Sequence, residues 1–187
     1  MTKTPTKLRA DAQRNRDKLM AAALALLAET GPDVPLEAVA RQAGVGIGTL
    51  YRHFPTREAL LEAVYRNEVV QLSEAADALL AEHPPDEALA LWMERFLSYA
   101  ETKRGMRDAL KAIISSSELF ADARRTQLAA IERLLSAGVA AGSLRPDVDA
   151  EDVLHAMGAV WSLGGDGWDE RARRVLALVM DGLRYRG

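Results

Sequence analysis

From Leu36 to Leu61 the chain reads LEAVARQAGVGIGTLYRHFPTREALL, which predicts two short helices around a tight turn, running into a third helix. Ala40 stands four residues before Gly44, on the inner face of a helix expected over Leu36 to Ala43, and its small side chain lets two helices cross closely. Gly44 falls where that helix must stop and the chain must turn sharply, through a left-handed backbone conformation open to glycine at no steric cost. Val39, Ala43, Val45, Leu50 and Phe54 supply the apolar positions that pack the two helices on each other and on a preceding one. Pro55 closes the second helix, because the residue before a proline is pushed out of helical geometry. Thr56 is placed to cap the next helix with its hydroxyl. The arrangement is that of a helix-turn-helix, which presents its second helix to a DNA groove.

With Leu50 and Phe54 turned inward, the outer face of the second helix carries Ile47, Gly48, Thr49, Tyr51, Arg52 and His53. Thr49, Tyr51 and His53 can hydrogen-bond phosphate oxygens, Arg52 can reach phosphate or the acceptor edge of guanine, and Ile47 can touch a thymine methyl. Arg57, in the first turn of the following helix, is the expected phosphate clamp. An ordinary helical hairpin with a solvated polar side has the same turn, so the turn alone leaves both readings open.

Gly44-Val45, then Gly48-Thr49-Leu50-Tyr51-Arg52-His53-Phe54-Pro55 and Arg57-Glu58-Ala59-Leu60-Leu61, resemble the signature of the TetR family of bacterial transcriptional regulators. The resemblance covers roughly Arg14 to Val70 and implies that the helix holding Gly48 to Phe54 is the recognition helix. The chain departs from the family pattern at two positions. Gly46 stands where a hydroxyl residue usually caps the recognition helix, a change expected to cost only a few tenths of a kcal/mol. Arg57 stands where lysine is usual and keeps the charge. Gly46 and Gly48 leave few side chains for reading bases.

The run Gly44-Val45-Gly46-Ile47-Gly48 also has the look of a nucleotide-binding loop, but that loop needs a preceding buried strand, and LEAVARQA is rich in helix formers. No Walker lysine pattern accompanies it. At 187 residues, 49% hydrophobic and 27% charged, the chain fits one or two globular domains and is neither disordered nor fibrous. Cysteine is absent, which removes disulfide and thiolate chemistry. The longest uncharged apolar run, Met20 to Ala28, is far short of the roughly 20 residues that span a bilayer, and it lacks a signal-peptide cleavage context. A cytoplasmic protein is expected.

Charge separates the two ends of the chain. Residues 1–57 hold nine Lys and Arg against five Asp and Glu, a net +4, whereas residues 58–187 hold fifteen against twenty-two, a net −7. A DNA-facing end joined to an acidic body accounts for that asymmetry. Lys3, Lys7, Arg9, Arg14, Arg16 and Lys18 form an N-terminal basic arm for the phosphate backbone or the minor groove, with a solvated tail as the alternative for Lys3 to Arg9.

Elsewhere the pattern is helical. A first helix over about Asp11 to Glu29 places Leu19, Ala23, Leu26 and Leu27 on one face and completes a three-helix head. A helix from Thr56 to about Glu82 repeats Leu61, Val64, Tyr65, Leu72, Ala76 and Leu79 until Pro84-Pro85, and links the head to the body. Helices follow over Asp86 to Lys103, about Met106 to Ile114, from a Ser115/Glu118 capping box to Ala141, over Ala150 to Leu163 with Asp149 as cap, and over Asp169 to Arg184. The expected fold is all-α: a helix-turn-helix head over residues 1–57 and a larger helical ligand-binding and dimerisation body over residues 58–187.

Val153, Val160 and Trp161 on one late helix, and Val175, Leu176, Val179 and Leu183 on the last, form apolar stripes suited either to the chain's own core or to a four-helix seam with a second copy. In TetR-like proteins the last two long helices form the dimer interface, so the resemblance implies a homodimer, as a two-half-site reader requires. Trp92, Phe96, Tyr99, Met106, Leu110, Ile114, Phe120, Leu128 and Met157 concentrate bulky, adaptable side chains that read as plain core or as the lining of a small-molecule pocket. The resemblance implies the pocket, and few charges in this set point to a largely apolar effector. His53, His83 and His155 are scattered without metal-ligand spacing, and no nucleophile, base and orienting group converge, so no catalytic residue, metal or cofactor is expected. The expected function is a sequence-specific regulator of double-stranded operator DNA, a homodimeric repressor released by a small molecule. A non-specific architectural DNA protein and an all-α enzyme are the alternatives, separable by salt-only dependence of binding and by turnover.

Overall fold

The computed structural model describes residues 5–30, 33–105 and 117–184. Among them are eight α-helices: α1 Pro5–Thr30, α2 Leu36–Gln42, α3 Ile47–His53, α4 Arg57–Glu82, α5 Pro85–Gly105, α6 Ser117–Ala140, α7 Ala150–Gly158 and α8 Trp168–Leu183. A 3-10 turn, Ala159–Ser162, continues α7. The all-α expectation holds, and the described residues contain no strand beyond one isolated bridge between Leu144 and Arg184.

Two helix boundaries differ from the sequence reading. Helix α1 starts at Pro5, not near Asp11, so Lys7 and Arg9 of the expected basic arm lie on this helix. Proline suits a first helical turn, where its missing N–H would have had no intrahelical partner, and apolar periodicity marks only the later part of this helix. The helix expected to reach Leu163 stops being α-helical at Gly158. Its last turn tightens, and the Val160 carbonyl accepts from the Leu163 N–H at 3.4 Å and from the Trp168 indole at 2.9 Å. The segment expected as a short helix over Met106 to Ile114, and the Ser115 cap, lie outside the described residues.

Contacts divide the chain into two compact units. One comprises residues up to Asn67 together with the end of α5 from Thr102; the other comprises Glu68–Glu101 and the residues from Ser117 onward. The junction lies inside α4, and Arg57 marks the start of that helix.

In the first unit, α1, α2 and α3 pack on one another around Leu19, Ala23, Leu27, Val39, Ala40, Leu50 and Phe54, all buried. Each large apolar side chain among them stabilises the fold by about 1.5–3 kcal/mol relative to exposure. In the second unit the core is aromatic. Trp92 stacks with Phe96 at 6.3 Å, while Phe96 and Tyr99 meet the Trp161 ring edge-on at 6.2 and 6.4 Å. The Trp92 indole donates to the Leu72 carbonyl at 2.7 Å, which fastens α5 to α4. Arg133 of α6 fastens to the same stretch of α4, donating to Asp77 at 2.8 Å and to the Ser73 carbonyl at 3.1 Å.

The connection from α6 to α7 is fixed at both ends. Leu144 is buried over Gly138, where a side chain would collide with it, and the Arg145 N–H donates to the Leu183 carbonyl at 2.9 Å. Asp149 caps α7, accepting from the Asp152 N–H at 2.8 Å as its position in the sequence predicts.

Candidate nucleic-acid interface

The turn between α2 and α3 forms as glycine chemistry requires. Gly44 adopts φ +65°, the Gly44 N–H reaches the Arg41 carbonyl at 3.1 Å, and the Val45 N–H reaches the Ala40 carbonyl at 2.9 Å. This pair of bonds is a Schellman motif, which satisfies two of the carbonyls left open at a helix C-terminus. Ala40 is buried at the crossing. Gly46 then enters α3 from an extended conformation, φ −65° and ψ 143°, and no side chain caps the helix. The Gly46 carbonyl accepts from Thr49 and Leu50, so the backbone alone starts the turn.

Leu50 and Phe54 anchor α3 inward, both essentially inaccessible. That orientation leaves Ile47 40% and Tyr51 45% exposed, side by side on the outer face of α3. Gly48 and Arg52 are exposed as well, and Thr49 and His53 are half-buried. Arg52 folds back along its own helix, its Nε donating to the Gly48 carbonyl at 3.1 Å and its Nη2 to the Thr49 hydroxyl at 2.9 Å. The missing side chain at Gly48 leaves the carbonyl open to that approach.

Past α3 the chain turns through Phe54, Pro55 and Thr56. The Thr56 hydroxyl accepts from the Ala59 N–H at 3.2 Å, the predicted cap of α4. Glu58 sits in the same first turn. Its carboxylate is held below the usual range by its own backbone N–H, by the Thr56 hydroxyl and by the neighbouring Arg57 charge. Arg57 is half-exposed and faces Asp33 at 3.7 Å, a carboxylate 99% in solvent. A pair this exposed contributes little, so the guanidinium can be transferred to a phosphate at small cost.

The basic residues ahead of the motif have different surroundings. Arg14 pairs with Asp11, whereas Arg16 lies over the ring of Phe54. Lys18 and Arg9 are exposed on α1. Sequence reasoning placed Arg16 in the basic arm and missed its contact with the end of α3. The only cue was its place three residues ahead of the buried Leu19.

The remaining candidates fall in the second unit. Trp92, Phe96, Tyr99 and Met157 are buried in its core, and Phe120 and Leu128 are half-buried on α6. Met106, Leu110 and Ile114 lie outside the described residues. Val153, Val160, Leu176 and Leu183 are buried within the chain itself, while Trp161, Val175 and Val179 are half-exposed. Leu178, which the sequence reading passed over, is 72% exposed on α8. An open groove of about 280 Å³ runs between α5 and α8, floored by Leu91, Met93, Leu176 and Met180 and edged by Glu87, Glu94, Asp181 and Arg184.

Comparison with known proteins places these features. Residues 19–64 match the family model of bacterial regulatory proteins of the tetR family, and residues 84–185 match that of the C-terminal domain of SbtR-like transcriptional regulators. A TetR transcriptional regulator from Streptomyces coelicolor has a solved structure that is 46% identical, with TM-score 0.83 over 92% of this chain and 99% of that one. A TetR regulatory protein from Mycobacterium vanbaalenii is 36% identical, with TM-score 0.75 over 95% and 99% of the two chains. Among curated proteins, an HTH-type transcriptional regulator of Staphylococcus aureus is 31% identical over 107 residues, which are 54% of this chain and 56% of that protein. The match thus spans little more than half the length of that curated relative.

Proposed function

The chain belongs to the TetR family of bacterial transcriptional regulators, and we propose that it acts as a homodimeric repressor, bound to a specific operator and released from it by a small molecule. The observation that supports DNA reading most directly is the exposed Ile47 and Tyr51 on a helix whose inner face is locked by Leu50 and Phe54. Phosphate contacts from Thr49, Tyr51, His53 and Arg57 fix the register, and Ile47, Gly48 and Arg52 face the base edges.

Dimerisation follows from the reading requirement and from α8. A single short recognition helix has too few contacts for a unique site, and two heads spaced by about one turn of DNA, roughly 34 Å, multiply the specificity. Leu178, with half-exposed Val175 and Val179, offers the seam. The effector binds in the second unit and biases α4, the helix that both units share. No helix of the described residues is long and apolar enough to cross a membrane. A regulator of operator DNA would work in the cytoplasm, and that location is part of the proposal.

Footprinting on DNA flanking its own gene, followed by gel shifts, tests this reading. Tyr51→Ala and Arg57→Ala each weaken operator binding by about tenfold, near 1.4 kcal/mol, with the dimer intact. Leu178→Arg shifts the sedimenting species to a monomer and abolishes operator binding. Unchanged affinity in the first two variants, or binding that depends on salt and not on sequence, refutes the assignment.

A further inference from the structure

The second unit has an apolar interior that one side chain interrupts. Gln127, midway along α6, is 8% exposed, and among the described residues it is the one buried side chain that is neither apolar nor aromatic. Its neighbours on the same helix face, Leu119, Ala123, Ala130, Ile131 and Leu134, are all buried and apolar. A glutamine amide offers two donors and an accepting oxygen. Gln127 makes no hydrogen bond with any described residue.

Two other buried polar groups of this unit are answered. The Trp92 indole donates to the Leu72 carbonyl and the Trp168 indole to the Val160 carbonyl. Helix α6 is also held on both sides of Gln127, by Arg124 against Glu151 at 3.3 Å and by Arg133 against Asp77 at 2.8 Å. An unpartnered buried amide opposes folding, and a methionine of similar length would avoid that penalty. Its presence calls for a partner that the described residues do not supply.

We propose that Gln127 is the polar contact of the effector site, and that the effector is a neutral molecule with an apolar body and an amide, carbonyl or hydroxyl group. The proposal rests on the reading of the chain as a ligand-released regulator. Neutrality follows from the burial pattern: no charged side chain is buried among the described residues of this unit, so an ion taken inside would lose its hydration without a counter-charge. A neutral amide answers both functions of Gln127, accepting from its Nε2 and donating to its Oε1.

The full-length protein and its Gln127→Met variant separate the alternatives. Without ligand, Gln127→Met melts about 2–4 °C higher, because the unanswered amide is gone; a lower melting temperature means that the fold satisfies the amide itself and overturns the proposal. Calorimetry then compares three probes of one shape: 4-phenylbutanamide, butylbenzene and 4-phenylbutyrate. The amide binds the wild-type protein about tenfold tighter than the other two, and Gln127→Met loses that preference. Equal binding of all three, binding of none, or an unchanged preference in the variant overturns the assignment. The operator separates this proposal from the reading beneath it. Equal release of both proteins by the amide leaves ligand control standing and removes Gln127 from it, whereas amide binding that never disturbs operator DNA keeps the site and refutes the regulatory reading.

Discussion

The guanidinium of Arg16 lies 4.6 Å over the ring centroid of Phe54, so a residue of α1 covers the C-terminal end of α3. Phe54 is almost wholly inaccessible and Arg16 half-buried, which places the contact at the upper part of the cation–π range, about 1–2 kcal/mol. Arg16→Lys keeps the charge and loses the planar stack. That variant should destabilise the protein by about 1 kcal/mol in urea unfolding and weaken operator binding several-fold. A residue that only met phosphate would tolerate the change, so full operator affinity in Arg16→Lys removes the positioning role.

Gly44 and Gly46 answer opposite demands, although both stand in the same short turn. Space around both is open, but Gly44 holds φ +65° and Gly46 an ordinary extended conformation. Gly44→Ala should cost about 1–2 kcal/mol through its left-handed backbone alone. Gly46→Ser should be neutral or stabilising by a few tenths of a kcal/mol, since it supplies the absent cap of α3. Thermal unfolding of the two variants reads the contrast, and equal effects would show that the turn does not discriminate between the positions.

The first turn of α4 couples a cap to a titration. Thr56→Ala removes the acceptor for the Ala59 N–H and should lower stability by about 1 kcal/mol. The Glu58 carboxyl then titrates closer to its ordinary value, because the Thr56 hydroxyl is one of the groups holding it down. Glu58 has a depressed pKa in the fold, so its contribution is present above the unfolded value and fades as pH falls through the folded one. A carbon-detected NMR titration of Glu58 in both proteins checks the direction.

Arg145 grips Asp147 with two bonds, Nε to Oδ1 and Nη2 to Oδ2, each 2.7 Å. The Asp147 carboxyl is lowered from 3.8 to about 2, chiefly by these bonds from Arg145. The pair therefore supports the fold above the ordinary aspartate range and is lost as pH drops towards 2. Arg145→Gln should return Asp147 towards 3.8 and loosen the link to the end of α8, where the Arg145 Nη1 also approaches the Gly182 carbonyl at 3.4 Å. An Asp147 titration unchanged in the variant would place the cause elsewhere.

The DNA-reading head was legible because its turn depends on local chemistry. A glycine forced to positive φ, a proline after Phe54 and hydroxyl or carboxylate caps at Thr56 and Asp149 each act within a few residues of their own position. Features that depend on distant packing were not legible. The start of α1 carries no apolar stripe, so periodicity placed it too late. The apolar positions of α7 and α8 have the same period whether they face their own core or solvent, and only the fold separates buried Val153 and Leu176 from exposed Leu178. Gln127 sits among alanines and arginines in the sequence, where an amide reads as surface, and its burial emerges only from the assembled unit.

The two successive α4 carbonyls that accept from Trp92 and Arg133 restrict how that helix can move within the second unit. Rolling α4 about its long axis would swing both oxygens away from donors rooted in two different helices and strand a buried indole N–H. Tilting or sliding α4 together with α5 and α6 leaves both bonds whole. The fastening thus selects the mechanical mode: this helix behaves as a clamped beam, which can lean with its neighbours but cannot spin like a shaft.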